Sequence, residues 1–164
     1  MGLIMSLDST VEMLEQIPIF NGLSHLQLTA ILSIGKKTFF TEGQNILEAD
    51  KTGEAAYILL SGKAESKVGE PGAEMTETLL PGSLLGELGM LVEMVHTMTV
   101  VAVERVRALE ITRAALLTVL EADPTMAQHF SDKLMQRLQD LANELMAVDA
   151  QVAAIEASLQ AAAG

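Results

Sequence analysis

Cysteine and tryptophan are absent from this sequence, and aromatic residues make up only 3% of it. Without cysteine there is no disulfide, no thiolate nucleophile and no cysteine-based zinc site, and we expect a reducing, cytoplasmic location. Because aromatic side chains are scarce, a core must be built from Leu, Val, Ile, Ala and the ten Met residues. Hydrophobic residues make up 49% of the 164 residues, which is enough for the core of one domain.

Positive charge is also scarce. The chain has 10 Lys and Arg against 22 Asp and Glu, so its formal net charge is −12. Such a chain repels a phosphate backbone, and it has no basic stripe that could release counterions, so we expect no nucleic-acid partner. The N-terminus lacks the regions of a signal peptide and no apolar run reaches membrane-spanning length, so we expect no membrane partner either.

Motifs of the common enzyme classes are missing. The sequence contains no Walker loop, no His-Glu-x-x-His and no serine nucleophile elbow. His25 and His129 have no further metal-ligating residues at useful spacing. We therefore predict no catalytic residue and no metal site, and we expect that the protein is not an enzyme.

Local patterns predict short helices followed by a strand-rich region. Ser9 with Glu12, and Ser24 with Gln27, have capping-box spacing and predict helices near 9–16 and 24–33. From residue 36 to 111 the pattern changes to short β-rich runs separated by turns such as Ser61-Gly62 and Glu70-Pro71-Gly72. Runs this short and evenly spaced predict a small antiparallel barrel or roll. The predicted strands are Thr38–Phe40, Asn45–Leu47, Ala56–Leu60, Lys63–Val68, Met75–Leu80, Met98–Val103 and Val106–Ile111.

The last part of the chain is predicted to be helical. Thr112 can cap a helix that runs to about Glu121, and Asp123-Pro124 is a strong signal for a second helix start. From there no Gly or Pro interrupts the chain before Gly164. Apolar residues alternate in steps of four and three, which is the a/d pattern of a coiled coil. This seam consists of Leu134, Leu138, Leu141, Leu145, Val148, Val152, Ile155 and Leu159.

An apolar seam of this length needs a partner surface. The first turns of the helix can pack on the roll, but the far end extends beyond it, so a second copy of the chain is the better partner. Glu144 and Asp149 would occupy g and e positions and repel each other across a parallel pair, so these charges do not specify the orientation. We expect a homodimer, with a β-roll domain at 1–122 and a dimerisation helix at 123–164.

Residues 81–102 carry the most specific signal in the sequence. A turn at Pro81-Gly82 leads to Gly86-Glu87-Leu88-Gly89, which can open one short helix before a β-branched strand. Backbone amides at a helix start favour an anion, and glycine lets a phosphate approach the backbone closely. A carboxylate beside them can accept hydrogen bonds from a sugar hydroxyl.

This segment resembles the phosphate-binding cassette of the cyclic nucleotide-binding domain family, which includes the bacterial catabolite activators. Residues 54–65 also resemble the central hairpin of that family. The resemblance implies an α+β fold: a jelly-roll-like antiparallel β-roll with short flanking helices and a long C-terminal coiled-coil helix. Catabolite activators continue into a winged helix-turn-helix where this chain stops, which argues against DNA binding.

The resemblance also implies the ligand contacts. Gly86, Glu87 and Leu88 match the family residues that hold the cyclic phosphate and the ribose 2′-hydroxyl, and Thr97 matches a position beside the phosphate. His96 stands where the family usually has arginine. Losing that charged hydrogen bond should weaken cyclic AMP binding about ten- to hundredfold. A nearby phosphate favours the protonated ring and so restores part of the pairing below neutral pH.

The base-reading side departs from the catabolite activators. Arg137 is retained, but Leu141 and Ala142 stand where the activators have hydroxyl residues. We therefore expect Arg137 and Leu141 to contact the base without the usual hydrogen bonds. Many family members read the base by apolar contact alone, so this departure weighs less than the loss of the arginine.

Each cassette residue has a simpler alternative role. The glycines could serve only a tight turn, Glu87 could be a solvated carboxylate, and His96 could be an ordinary exposed loop residue. The leading hypothesis is a dimeric sensor that binds cyclic AMP or cyclic GMP weakly and signals to an unknown protein partner. The alternatives are a ligand-blind dimeric scaffold with the same fold, or a roll adapted to another small anion.

Overall fold

The computed structural model describes residues 6–69 and 72–163. The chain divides into two compact units, Met1–Ala127 and Gln128–Gly164. The first unit contains antiparallel sheets with short helices, and the second consists of the larger part of one long helix. This is the fold class that the sequence predicted. The domain boundary expected between residues 122 and 123 lies at the start of that long helix.

Three helices of the first unit begin at side-chain caps. Helix α1 spans Leu7–Glu15, α2 spans His25–Ile34 and α3 spans Arg113–Ala122. The predicted capping box of α2 is confirmed, because the Ser24 hydroxyl accepts from the Gln27 amide while the Gln27 side chain accepts from the Ser24 amide. The predicted Thr112 cap of α3 is confirmed as well.

The predicted start of α1 at Ser9 is wrong. Ser6 is extended and caps the helix, and its hydroxyl accepts from the Ser9 amide at 3.2 Å. Ser6 and Ser9 are three residues apart, as are Ser9 and Glu12, so both pairs have the spacing of an N-terminal cap. In the structure Ser6 is the cap, and the helix therefore begins at Leu7. Only the helix boundary changes, since the buried residues Val11 and Leu14 lie within both versions.

Within the described residues, ten antiparallel strands form the sheets of the first unit. One sheet has the order β1-β10-β4-β7, a second has β2-β9-β5-β6, and β3 pairs with β8. All seven predicted strands are present, one with the predicted bounds and six with shifts of one or two residues at their ends. The strands are β1 Lys36–Phe40, β2 Asn45–Leu47, β3 Thr52–Gly53, β4 Ala55–Ser61, β5 Ala64–Val68, β6 Met75–Leu79, β7 Leu84–Leu85, β8 Met94–Val95, β9 Thr99–Ala102 and β10 Val106–Thr112.

Strands β3, β7 and β8 were not predicted. Each has only two residues, which is too short for an alternating pattern to be visible. The predicted turn at Glu70-Pro71-Gly72 includes two residues outside the described part of the chain. No helix within the described ranges is long and apolar enough to cross a membrane.

The core of the roll lies between the two larger sheets. Strand pairing places alternate residues of β1, β4 and β10 on the same face, and these side chains meet those of β2, β5 and β9. The cluster comprises Phe40, Ile46, Leu47, Leu59, Ala64, Leu85, Val100, Ala102, Val106 and Ala108. On the opposite face, Leu109 and Ile111 of β10 are buried and α3 contacts the strand.

Helix α4 spans Pro124–Ala163 without interruption. It begins where Asp123-Pro124 predicted, because the Asp123 carboxylate accepts from the backbone amides of Thr125 and Met126. Six seam residues are between 48% and 66% exposed, while Leu134 and Leu141 are partly buried. The six exposed residues are Leu138, Leu145, Val148, Val152, Ile155 and Leu159.

Asp123 also links α2 to the start of α4. Its carboxylate accepts hydrogen bonds from the Thr125 hydroxyl and from the Gln27 side chain as well as from backbone amides. These bonds, led by that of the Thr125 side chain, lower the pKa of the Asp123 carboxyl from its ordinary value. A lowered pKa means that the stabilisation is complete above the unfolded-state pKa and is lost as pH falls through the folded-state pKa.

Asp123→Ala should therefore lower the melting temperature by about 2–4 °C at pH 7, because α4 loses its cap. The difference from the unmodified protein should shrink on acidification, since a protonated carboxyl is a weaker acceptor. Calorimetry between pH 7 and pH 3 measures both effects. Glu121→Ala, an exposed position near the end of α3, is the control and should change little. An Asp123→Ala difference that is constant over this pH range would contradict the assignment.

Candidate functional site

The predicted cassette has an unusual backbone at its start. Gly86 adopts left-handed angles, φ 67° and ψ 34°, and caps a 3₁₀ helix at Glu87–Met90. Glycine is therefore favoured at position 86, because a residue with a Cβ is strained at these left-handed backbone angles. Gly89 is tightly packed, since a Cβ there would lie 3.1 Å from the Ala55 carbonyl oxygen. The short helix expected after Gly86 is confirmed.

His96 is buried beside the start of this helix. Its side chain occupies the space next to Gly53, where an added Cβ would lie 2.7 Å from the ring Cε1. The same ring carbon lies 3.4 Å from the position of a Cβ on Gly86. His96 is 8% exposed, so the interpretation as an exposed loop residue is wrong.

Backbone hydrogen bonds fix the position of His96. Its amide donates to the Lys51 carbonyl at 2.9 Å, and its own carbonyl accepts from the Asp50 amide at 2.9 Å. This pairing continues the β3–β8 ladder, in which Thr52 faces Val95. The segment before β4 therefore determines where the imidazole lies.

Arg113 holds the cassette to that same segment. Its Nη1 donates to the carbonyl of Gly53 at 3.3 Å, of Gly89 at 3.2 Å and of Val92 at 2.7 Å. Its backbone amide donates to the Glu54 carbonyl at 2.8 Å. A guanidinium suits this role, because its donors point in several fixed directions. Sequence reasoning missed Arg113, since nothing in the local pattern shows that carbonyls from distant segments converge on it.

The remaining cassette residues differ in exposure. Glu87 and Leu88 are partly buried and Thr97 is exposed. Together with Gly86 and His96 they lie within one stretch between β7 and β9. The structure thus places His96 beside Gly86. The ligand-binding roles of all five residues stay predictions.

A cavity of about 790 Å³ adjoins His96 on the first unit. Of the five predicted cassette residues, all of them described, only His96 lines it. Tyr57, Glu110, Lys51 and Arg113 are also in its wall. Burial, and secondly the Glu110 carboxylate, raise the pKa of the Tyr57 phenol above its ordinary value. The cavity is therefore lined in part by polar and charged side chains, and His96 and Arg113 connect it to the cassette.

The residues predicted to contact the base lie in the second unit. Arg137 and Leu141 are on α4, Arg137 exposed and Leu141 partly buried. Their contact with a ligand stays a prediction. Among the residues that the structure describes, no group of three or more His, Cys, Asp or Glu side chains could hold a metal ion.

A family model and individual known proteins both match this chain. The family model of the cyclic nucleotide-binding domain matches residues 37–123, which is more than half of the chain. The cyclic AMP receptor protein of Thermus thermophilus is 31% identical over 130 residues, covering 78% of this chain and 60% of that protein. A CRP-like cAMP-activated global transcriptional regulator of Mycobacterium tuberculosis is 26% identical over 138 residues, covering 82% of this chain and 61% of that protein.

A solved structure supports the fold independently. The N-terminal domain of a transcriptional regulator from Streptomyces coelicolor A3(2) matches with a TM-score of 0.74 at 21% identity, over 81% of this chain and 94% of that chain. This chain spans about three-fifths of the length of the curated relatives, at 60% and 61%. The family match and the roll with its Gly86 cassette agree. The chain belongs to the cyclic nucleotide-binding domain family.

Proposed function

We propose that the protein is a dimeric sensor that binds a cyclic nucleotide weakly and passes the change to a protein partner through α4. The observation that carries this proposal is the position of the His96 ring next to Gly86, where a Cβ added to the glycine would lie 3.4 Å from the ring Cε1. The only cassette side chain that can become positively charged lies beside Gly86, the left-handed glycine at which the proposed phosphate-binding stretch begins.

The role of each cassette residue follows from its chemistry. Gly86 gives a phosphate close access to the backbone, and the amides of Glu87 and Leu88 are the proposed donors. The Glu87 carboxylate is the proposed acceptor for the ribose 2′-hydroxyl. His96 supplies positive charge only when it is protonated, whereas an arginine would be charged throughout. Thr97 is exposed and can add a hydroxyl beside the phosphate.

Arg113 contributes to the proposed sensor by position rather than by contact with the ligand. Its guanidinium connects β3, at Gly53, to the 3₁₀ helix, at Gly89, and to the loop that follows this helix, at Val92. Because Arg113 is the first residue of α3, a displacement of the cassette would be transmitted to that helix. In the proposed sensor, the displacement then passes from α3 to α4, which follows it in the chain.

Replacing His96 by arginine tests the proposal most directly. His96→Arg should tighten cyclic AMP binding about ten- to hundredfold at pH 8, because a guanidinium is permanently charged and donates through a bidentate fork. Cyclic GMP binding should tighten in the same way if the phosphate is the group that is recognised. Titration calorimetry with cyclic AMP and cyclic GMP measures these affinities.

Two further variants serve as controls. Glu87→Ala should abolish binding in either background, because the ribose loses its acceptor. Glu93→Ala removes an exposed carboxylate from the same segment and should leave the affinity unchanged. If His96→Arg is folded and still binds neither nucleotide, the pocket is closed for reasons beyond one missing charge, and the sensor proposal fails.

The ligand-blind scaffold is the second candidate, and one observation favours it. The His96 ring fills the space against Gly53 and is almost fully buried, so it already has a packing role without a ligand. A scaffold of this kind would dimerise and bind its partner regardless of nucleotide. The absence of any thermal stabilisation by a panel of cyclic nucleotides at pH 6 and pH 8 would support it, since a ligand at a hundred times its Kd stabilises by about 2.7 kcal/mol.

A further inference from the structure

A separate cavity of about 290 Å³ on the first unit is lined by two arginines, a serine and a phenylalanine. The four residues are Phe39, Ser61, Arg105 and Arg107, and no carboxylate is among them. In a chain with a net charge of −12, a cavity lined by two cations is a local reversal of the overall charge. It shares no residue with the cassette or with the cavity beside His96.

Strand register places Phe39 and Ser61 on either side of Arg107. Arg107 of β10 lies opposite Phe39 of β1, and directly opposed residues of antiparallel strands have their side chains on the same face. The neighbours of Arg107 in the chain, Val106 and Ala108, are in the core, so Arg107 and Phe39 lie on the outer face of the sheet. On the other side Arg107 pairs with Ser61 of β4 at a point where the register of the two strands shifts, and Ser61 completes the wall of the cavity there.

Two further contacts define the cavity. The Arg105 guanidinium carbon lies 5.6 Å from the centroid of the Phe39 ring, in a cation–π contact. Gly62, with φ +87°, lets the turn after Ser61 approach the backbone of Arg105, and a Cβ there would lie 2.9 Å from the Cα of Val106. The turn and the two arginines are thereby held together.

One arginine donor at this cavity lacks an acceptor within the described part of the chain. Nε of Arg107 is buried and has no hydrogen-bond partner among the described residues. A buried donor without a partner is unfavourable, and an arriving oxyanion can supply the missing acceptor. Arg105 and Ser61 are exposed and Phe39 is 53% exposed, so the cavity is accessible from solvent.

We propose that this cavity binds the phosphate group of a small phosphomonoester. Two guanidinium groups match the double charge of a phosphomonoester, the planar fork of each can donate to two of its oxygens, and the Ser61 hydroxyl can donate to a third oxygen. The ring of Phe39 provides an apolar wall for the organic part. The volume is close to the lower limit of about 300 Å³ for ligand pockets, which suits a small ester.

Phenyl phosphate is the probe that tests this proposal on the full chain. It should bind saturably by titration calorimetry, and the Nε–H resonance of Arg107 should shift in NMR spectra. Arg105→Gln and Arg107→Gln should each reduce the affinity by about tenfold or more. Lys67→Gln, which removes one exposed positive charge from β5, should leave it unchanged. Saturating cyclic AMP should not displace the probe, which separates this site from the cassette.

Two related ions identify the chemistry that is recognised. Inorganic phosphate binding as tightly as phenyl phosphate would assign the site to free phosphate, and weaker binding would assign it to an ester. Benzoate carries one charge on a similar ring and should bind at least tenfold more weakly. The proposal is overturned if benzoate binds equally well, if phenyl phosphate does not saturate, or if Lys67→Gln weakens binding as much as the arginine variants.

Discussion

Replacing Leu141 and Leu145 by glutamate should convert a dimer of this protein into monomers. Both residues lie on the α4 seam, and Leu145 is 66% exposed in the single chain. An apolar stripe of this length on a helix is unfavourable in water and is normally covered by another helix. Two buried carboxylates would add to the repulsion between Glu144 and Asp149, which flank the seam, so we expect complete dissociation at micromolar concentration.

The measurement is light scattering coupled to size exclusion, on the full chain. Asn143→Glu with Ala150→Glu is the matched control, since it adds the same charge at two positions on the far side of the helix from the seam. The control should stay dimeric. A double seam variant that remains a dimer would place the interface elsewhere, and circular dichroism confirms that α4 is still helical in each protein.

Gly62→Ala should destabilise the first unit by about 2–5 kcal/mol. The substitution forces a side chain onto a backbone with φ +87°, which costs roughly 1–2 kcal/mol. In addition, the new Cβ would meet the carbonyl oxygen of Arg105 well inside van der Waals contact, and neither backbone can move without disturbing β4 or β10. Overpacking of this kind adds about 1–3 kcal/mol.

Gly43→Ala separates the two contributions. Gly43 has a nearly identical φ of +86°, but nothing lies within 4 Å of the added Cβ. This variant should therefore show only the backbone cost. Urea unfolding monitored by circular dichroism gives both free energies. Equal destabilisation of the two variants would mean that the contact between the Ser61-Gly62 turn and Arg105 is unimportant for stability.

The parts of the fold that the sequence predicted correctly are governed by short-range rules. The Ser24 capping box and the start of α4 at Asp123-Pro124 depend on residues three or fewer positions apart, and strand alternation is visible within five to seven residues. The Gly86 turn could be predicted for the same reason. Closely spaced glycines within a short stretch indicate backbone angles that other residues rarely adopt.

What the sequence could not show depends on contacts between distant segments. Arg113 receives its role from carbonyls at Gly53, Gly89 and Val92, which meet only in the folded chain. The burial of His96 arises likewise because Gly53, far away in sequence, leaves a space for the ring. Two-residue strands such as β3 form only because their partners are held in place by other elements.

Tyr57 gives the protein an optical property that follows from its position. It is the one tyrosine in a chain without tryptophan, so near-ultraviolet absorption and fluorescence come almost entirely from one side chain. That side chain lines the cavity that His96 also lines, with its ring 5.8 Å from Phe40 in an edge-on arrangement. Emission intensity therefore reports on a single known place in the roll, and rearrangement around His96 can be followed in the unlabelled protein.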